Sequence, residues 1–140
     1  MKLIRRSTNE TVSLEDGFLW SDEFSWNPIK QALEYAVDGT PIVQEGRMKG
    51  GRPITLLAKN TNQGWIQRKY LSQLYSWSLQ QGEQFQLVFE FPHDNRTFDV
   101  IFYHEKTAFE ASPVKEQPTI SDSDYYNATL RFLEFSRANQ

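Results

Sequence analysis

The clearest pattern in the chain is strict alternation. Phe85, Leu87, Phe89 and Phe91 alternate with Gln84, Gln86, Val88 and Glu90, and Phe98, Val100, Phe102 and His104 alternate with Thr97, Asp99, Ile101 and Tyr103. Two period-2 runs separated by the turn-forming residues 92–96 predict an antiparallel hairpin with one face toward a core. Residues 31–37 and 41–45 predict two further strands around Asp38-Gly39, a strong short hairpin signal. Residues 54–58 and 109–115 add strands. Residues 125–135 close the chain with Tyr126, Ala128, Leu130 and Phe132 on one parity, while Leu133 and Phe135 load the other. Residues 18–26 hold Phe18, Trp20, Phe24 and Trp26, with Trp20, Phe24 and Trp26 on one parity, as in a half-buried strand.

The period changes once. Ile66, Tyr70, Leu74 and Trp77 fall at helical spacing, flanked by Leu71 and Ser78, and Gly82 stands where a helix stop is wanted. The spacing predicts one α-helix near 65–81. Polar turns are expected at 59–64 and 117–124. The reading is a mainly β fold, a β-sandwich or distorted barrel of about seven antiparallel strands with the helix covering an open side, because a single flat sheet would leave an apolar face wet. A single domain is expected over 1–140, with residues 1–16 loosely ordered and residues 39–53 forming an extended hairpin or arm.

Composition narrows the function classes. The 140 residues include ten Phe, six Tyr and four Trp, enough large side chains for a core despite a 39% hydrophobic fraction. The absence of Cys removes disulfides, thiol nucleophiles and Cys-based metal sites. A net charge of −3 argues against a dedicated nucleic-acid binder. The N-terminal residues carry charge without the apolar run of a secretory signal, and no stretch reaches the ~18 apolar residues of a membrane span. Synthesis in a cytoplasm and no membrane contact are therefore expected.

No catalytic constellation emerges, so the chain reads as a non-enzyme. His93 and His104 lack the acidic partners of a metal site. No Gly-x-Ser-x-Gly elbow is present. The carboxylates at Glu15-Asp16, Asp22-Glu23 and Asp122/Asp124 read as surface groups and turn-formers, and 122–124 lacks the rest of a calcium loop. No cofactor, metal or small-molecule substrate is expected. The glycine-rich basic segment 46–52 is not a phosphate loop, because Pro53 and a strand follow it instead of a helix. Arg47, Lys49 and Arg52 are candidate interaction residues for an acidic neighbour. Trp20 and Trp26 are candidates for interface packing, or for stacking on bases in the alternative reading as a small nucleic-acid-binding β-barrel that uses the basic loop 46–52 and these aromatic residues.

Four phrases carry a resemblance: Leu19-Trp20-Ser21-Asp22-Glu23-Phe24-Ser25-Trp26-x-Pro28, Gly39-Thr40-Pro41-Ile42-Val43-Gln44-Glu45-Gly46, Gly51-Arg52-Pro53-Ile54-Thr55-Leu56, and Tyr125-Tyr126-x-Ala128-Thr129-Leu130-Arg131-Phe132-Leu133-Glu134. Together, from about Leu19 to Glu134, the chain resembles small tail and baseplate structural proteins of tailed bacteriophages. The element order is similar to the tail-tube and distal-tail fold. The resemblance implies a virion protein of the tail, a ring-forming or ring-joining subunit of tube, baseplate or tail-completion type. Its partners would be copies of itself in a ring homo-oligomer and other tail proteins, with nucleic acid met only on passage through a tail lumen. The long excursion 39–52 would then be an arm reaching a neighbour.

Overall fold

The alternating runs pair as antiparallel strands, and the strand that closes the chain gathers them. The computed structural model describes residues 1–14, 17–57, 65–114, 118, 121 and 123–135. In chain order the elements are β1 (Lys2–Arg5), β2 (Thr11–Ser13), β3 (Leu19–Trp20), β4 (Ile29–Tyr35), β5 (Pro41–Arg47), β6 (Pro53–Leu57), β7 (Trp65–Gln67), α1 (Arg68–Ser78), β8 (Phe85–Val88), β9 (Thr97–Phe102), β10 (Phe109–Pro113) and β11 (Tyr125–Glu134). The fold is mainly β with one helix and antiparallel pairing throughout, a β-sandwich-like architecture. The described residues form eleven strands where about seven are expected, because several are only two to four residues long.

Nine strands form one sheet with the path β2-β1-β8-β9-β11-β6-β3, and β7 and β10 also pair with β11. Along one edge β11 binds β7 through Tyr125–Asn127 and β6 through Thr129–Leu133. Along the other it binds β10 through Tyr126–Leu130 and β9 through Phe132–Glu134. A strand that changes partners midway along both edges forces the sheet to split and fold over, and the apolar faces close on each other. Tyr126, Ala128, Leu130 and Phe132 are buried from one end of β11 to the other. Phe132 meets Phe102 at 5.0 Å between ring centroids, Phe102 meets Phe85 edge-on at 5.1 Å, and Phe85 stacks on Trp77 of the helix at 5.6 Å.

The β8–β9 hairpin is tighter than the alternation suggests. Phe89 N–H donates to Arg96 O, and Phe91 and Asp94 bridge in the same register. Only Pro92 and His93 are left as the loop. The helix is shorter than expected. Trp65–Gln67 pairs with β11 and buries Ile66 from a strand, and the helix ends at Ser78, well before Gly82. No side chain caps its start and no acidic residue lies in its first turn. Its stability therefore comes from Leu71, Leu74 and Trp77 packed on the sheet rather than from end effects. The expected turn at 59–64 lies outside the described residues, as does half of 117–124.

Two further expectations are overturned. The N-terminal residues are not loose: β1 lies inside the sheet between β2 and β8, with Leu3, Val12 and Leu14 buried. Their apolar residues are few, but each is placed inward by the pairing. The aromatic stretch 18–26 is not a continuous strand. Only Leu19 and Trp20 pair with β6, and the Asp22 carboxylate then accepts from Thr55 N–H and Oγ1 at 2.9 and 2.8 Å, which turns the chain away. Phe24 is left 93% exposed.

Strands β4 and β5 form a separate two-stranded sheet in which every residue is exposed. Its ends meet where Met48 N–H donates to Pro28 O. Two stability outcomes follow from this division. Leu74→Ala should cost about 2–5 kcal/mol in urea unfolding, as for a fully buried leucine. Replacing residues 29–47 by a short Gly/Ser turn should leave the unfolding midpoint of the body within about 0.5 kcal/mol of the parent, because no arm residue belongs to the core.

Candidate assembly interface

The arm is built by local chemistry. Asn27 Oδ1 accepts from Ile29 N–H at 2.8 Å and starts β4. Ala36 N–H donates to Thr40 O, Gly39 N–H donates to Ala36 O, and Gly39 sits at φ +87°, the left-handed position that a three-residue hairpin loop requires. Asp38 Oδ1 accepts from Thr40 N–H, and this bonding holds the Asp38 carboxyl below its usual pKa. Between these ends, seven residue pairs run from Ile29↔Arg47 to Tyr35↔Pro41. Ile29, Gln31, Leu33, Tyr35, Pro41, Val43, Glu45 and Arg47 share one face. That face is largely apolar and open: Leu33 is 54%, Tyr35 69% and Val43 53% exposed. Gln31 Nε2 donates to Glu45 Oε1 across it. An isolated hairpin is marginal in water, and an open apolar face on one is a candidate contact surface.

The arm's root is fastened by Arg52. Its guanidinium lies 4.7 Å from the Trp20 ring centroid and 5.7 Å from that of Phe98, and Nη2 donates to Glu23 O at 2.7 Å. Trp20 stacks on Phe89 at 5.1 Å and meets Phe98 edge-on at 5.4 Å. Arg96 approaches the same two rings and forms ion pairs with Asp94 and Glu23. Hydrogen bonding to Arg96 lowers the Asp94 carboxyl to a pKa of about 2. The backbone completes the joint: Gly51 N–H donates to Glu134 O and Glu134 N–H to Arg52 O, both at 2.8 Å. Burial raises the pKa of the Glu134 carboxyl, opposed by Arg52 and reinforced by Asp99. Trp20 Nε1 and Arg52 Nε have no acceptor among the described residues, so ring and charge contacts dominate the cluster.

The five residues singled out from sequence are therefore divided. Arg47 lies on β5 opposite Ile29 and is exposed, and Lys49 is exposed just beyond the strand. Arg52 and Trp20 are half-buried and committed to each other in the body, and Trp26 is half-buried on the approach to the arm. The segment 46–52 is not a free basic loop, because Gly46 and Arg47 are strand and Gly51 and Arg52 are tied to β11. The arm itself spans 29–47 rather than 39–53. Its apolar residues have the period of ordinary strand positions, since an exposed arm and a half-buried strand share the same alternation. Arg96, Glu23 and Glu134 carried no motif. His93 stacks on Phe91 and His104 leans on Phe102.

Comparison with protein-family models, with curated proteins and with solved structures returned no match.

Removing the Arg52 side chain (Arg52→Ala) should cost about 2 kcal/mol, measured by urea unfolding, and Arg52→Lys should recover little of it, because a lysine lacks the planar guanidinium that covers the two rings. The two shifted acids act in opposite senses. Asp94, with its lowered pKa, contributes stability above about pH 3.8 that is lost as pH falls toward 2. Glu134, with its raised pKa, costs stability as pH rises above the ordinary 4.5 of a glutamate. Glu134→Gln should therefore leave stability at pH 7 unchanged or higher and flatten the pH dependence just above pH 4.5.

Proposed function

We propose that this chain is a structural subunit of a bacteriophage tail, ring-forming or ring-joining, that works by assembling with copies of itself and with other tail proteins. The observation that carries the reading is the β4–β5 arm, whose apolar face has no cover among the described residues. Surface of this kind is stable in an assembled particle and a liability in a free monomer. The Arg52 joint supports the same reading, because it holds the root of the arm against the body so that the arm projects in a set direction. The exposed cations Arg47 and Lys49 suit an acidic neighbour at the arm's base. The resemblance to tail and baseplate proteins points the same way.

Mass spectrometry of purified tails from the phage or prophage that encodes the chain should find it in stoichiometric amount, with crosslinks from Lys30 and Lys49 to other tail subunits. The chain with residues 29–47 replaced by a short turn should fold but fail to enter particles. Absence of the protein from purified tails would overturn the proposal.

A further inference from the structure

The register of the arm fixes which of its backbone groups point outward. Met48 N–H bonds Pro28 O and Ala36 N–H bonds Thr40 O, and both pairs lie in the β4–β5 register. The hydrogen-bonded pairs are therefore the even positions of β4, and Ile29, Gln31, Leu33 and Tyr35 turn their N–H and C=O groups away from β5. Apart from Ile29 N–H, which Asn27 holds, none of these outward groups has a partner among the described residues. The side chains at these four positions are uncharged, and none is proline.

Two other edges, those of β5 and β10, are protected. The outward positions of β5 are Pro41, Val43, Glu45 and Arg47, so that edge has one missing donor and two charges. On β10, Arg131 N–H bonds Ala108 O and Val114 N–H bonds Tyr125 O, which turns Phe109, Ala111 and Pro113 outward and again removes a donor. Natural proteins block edge pairing with such prolines and charges. β4 has neither on its outward positions.

We infer that β4 is the pairing edge for a second copy of this chain, joined antiparallel about a two-fold axis through Ala32. The choice of occupant comes from self-complementarity. With Ala32 opposite its own copy, Lys30 stands opposite Glu34 of the second copy, and Glu34 opposite its Lys30. On the other face Ile29 stands opposite Tyr35, an aromatic and β-branched pair that a sheet favours, and Gln31 stands opposite Leu33. A shift by two residues sets Lys30 against Ala36 or Ala32 and loses both ion pairs. About six new backbone hydrogen bonds form. The resulting four-stranded sheet ends on two protected β5 edges, so pairing stops at the dimer. Seven residues per strand make this a small interface, and the affinity expected is micromolar.

A two-fold pair is not a step in the rotational closure of a ring, so the inference goes beyond the tail reading and stands apart from it. It also leaves the apolar face of the arm open on both copies for other partners.

Sedimentation of the full chain from low micromolar to several hundred micromolar should show a monomer–dimer equilibrium. Leu33→Pro should abolish it, because the lost N–H points outward and proline is tolerated on edge strands. The chain has no cysteine of its own. Ala32→Cys should therefore give a disulfide-linked dimer on mild oxidation, since a directly opposed non-hydrogen-bonded pair lies within disulfide reach. Gln44→Cys, opposite Ala32 on β5 of the same arm, should not. Lys30→Glu and Glu34→Lys should each weaken the dimer and restore it when combined. A chain that stays monomeric with no excess crosslinking of Ala32→Cys overturns the inference. Larger species unaffected by Leu33→Pro also overturn it while leaving the ring reading intact. Absence from purified tails would remove the ring reading without bearing on the dimer.

Discussion

Strand β11 is shared by four neighbours, and the rest of the body depends on that sharing. Each of β6, β7, β9 and β10 takes only part of its length. No two of them would form a stable sheet without it, since short strands have too few ladder bonds to hold alone. The buried parity of β11 sets the floor of the core, and the Phe132–Phe102–Phe85–Trp77 series carries the packing from that floor to the helix. The helix has no cap and no favourable end charges, so it is held by this series rather than the reverse.

The end of β11 also governs the arm. Glu134 exchanges backbone bonds with Gly51 and Arg52, and Arg52 closes over Trp20 and Phe98. A hairpin whose residues are all exposed acquires a direction because its root is tied to the strand that four others share. The partly buried Glu134 carboxylate and the unpaired donors of Trp20 and Arg52 are costs at that joint, offset by ring contacts and by the Arg96 ion pairs. Body and arm therefore divide the work: one supplies stability, the other supplies surface.

Much of the body was legible because alternation reports burial directly. The β8–β9 hairpin, the closing strand and the buried Leu74 and Trp77 of the helix all lie where their periods put them. The arm was legible as a hairpin through Asp38-Gly39 but not as an arm. Leu33 and Val43 each stand between one apolar and one polar neighbour, just as Leu87 and Val100 do, and period alone does not say whether the apolar face meets a core or solvent. The boundary at Trp65–Gln67 is hidden from the sequence for a related reason. Ile66 fits a helical stripe, and only its pairing opposite Tyr126 makes it a strand residue. Arg52 and Trp20 look like surface groups in the sequence, and only the fold brings them onto each other.

What the sequence by itself determined is the set of local preferences: mainly β, one helix, a glycine turn at the arm's tip, and no motif of known chemistry. These depend on neighbours within a few residues and survive in any fold. Only the tertiary structure decided which alternating strands face inward, that Arg52 reaches Trp20 across 32 positions of chain, and that β4 is left with an unprotected edge. Those outcomes depend on strand partners far apart in sequence. The exposed or buried state of an apolar face is a property of what is placed against it, and no single segment carries that information.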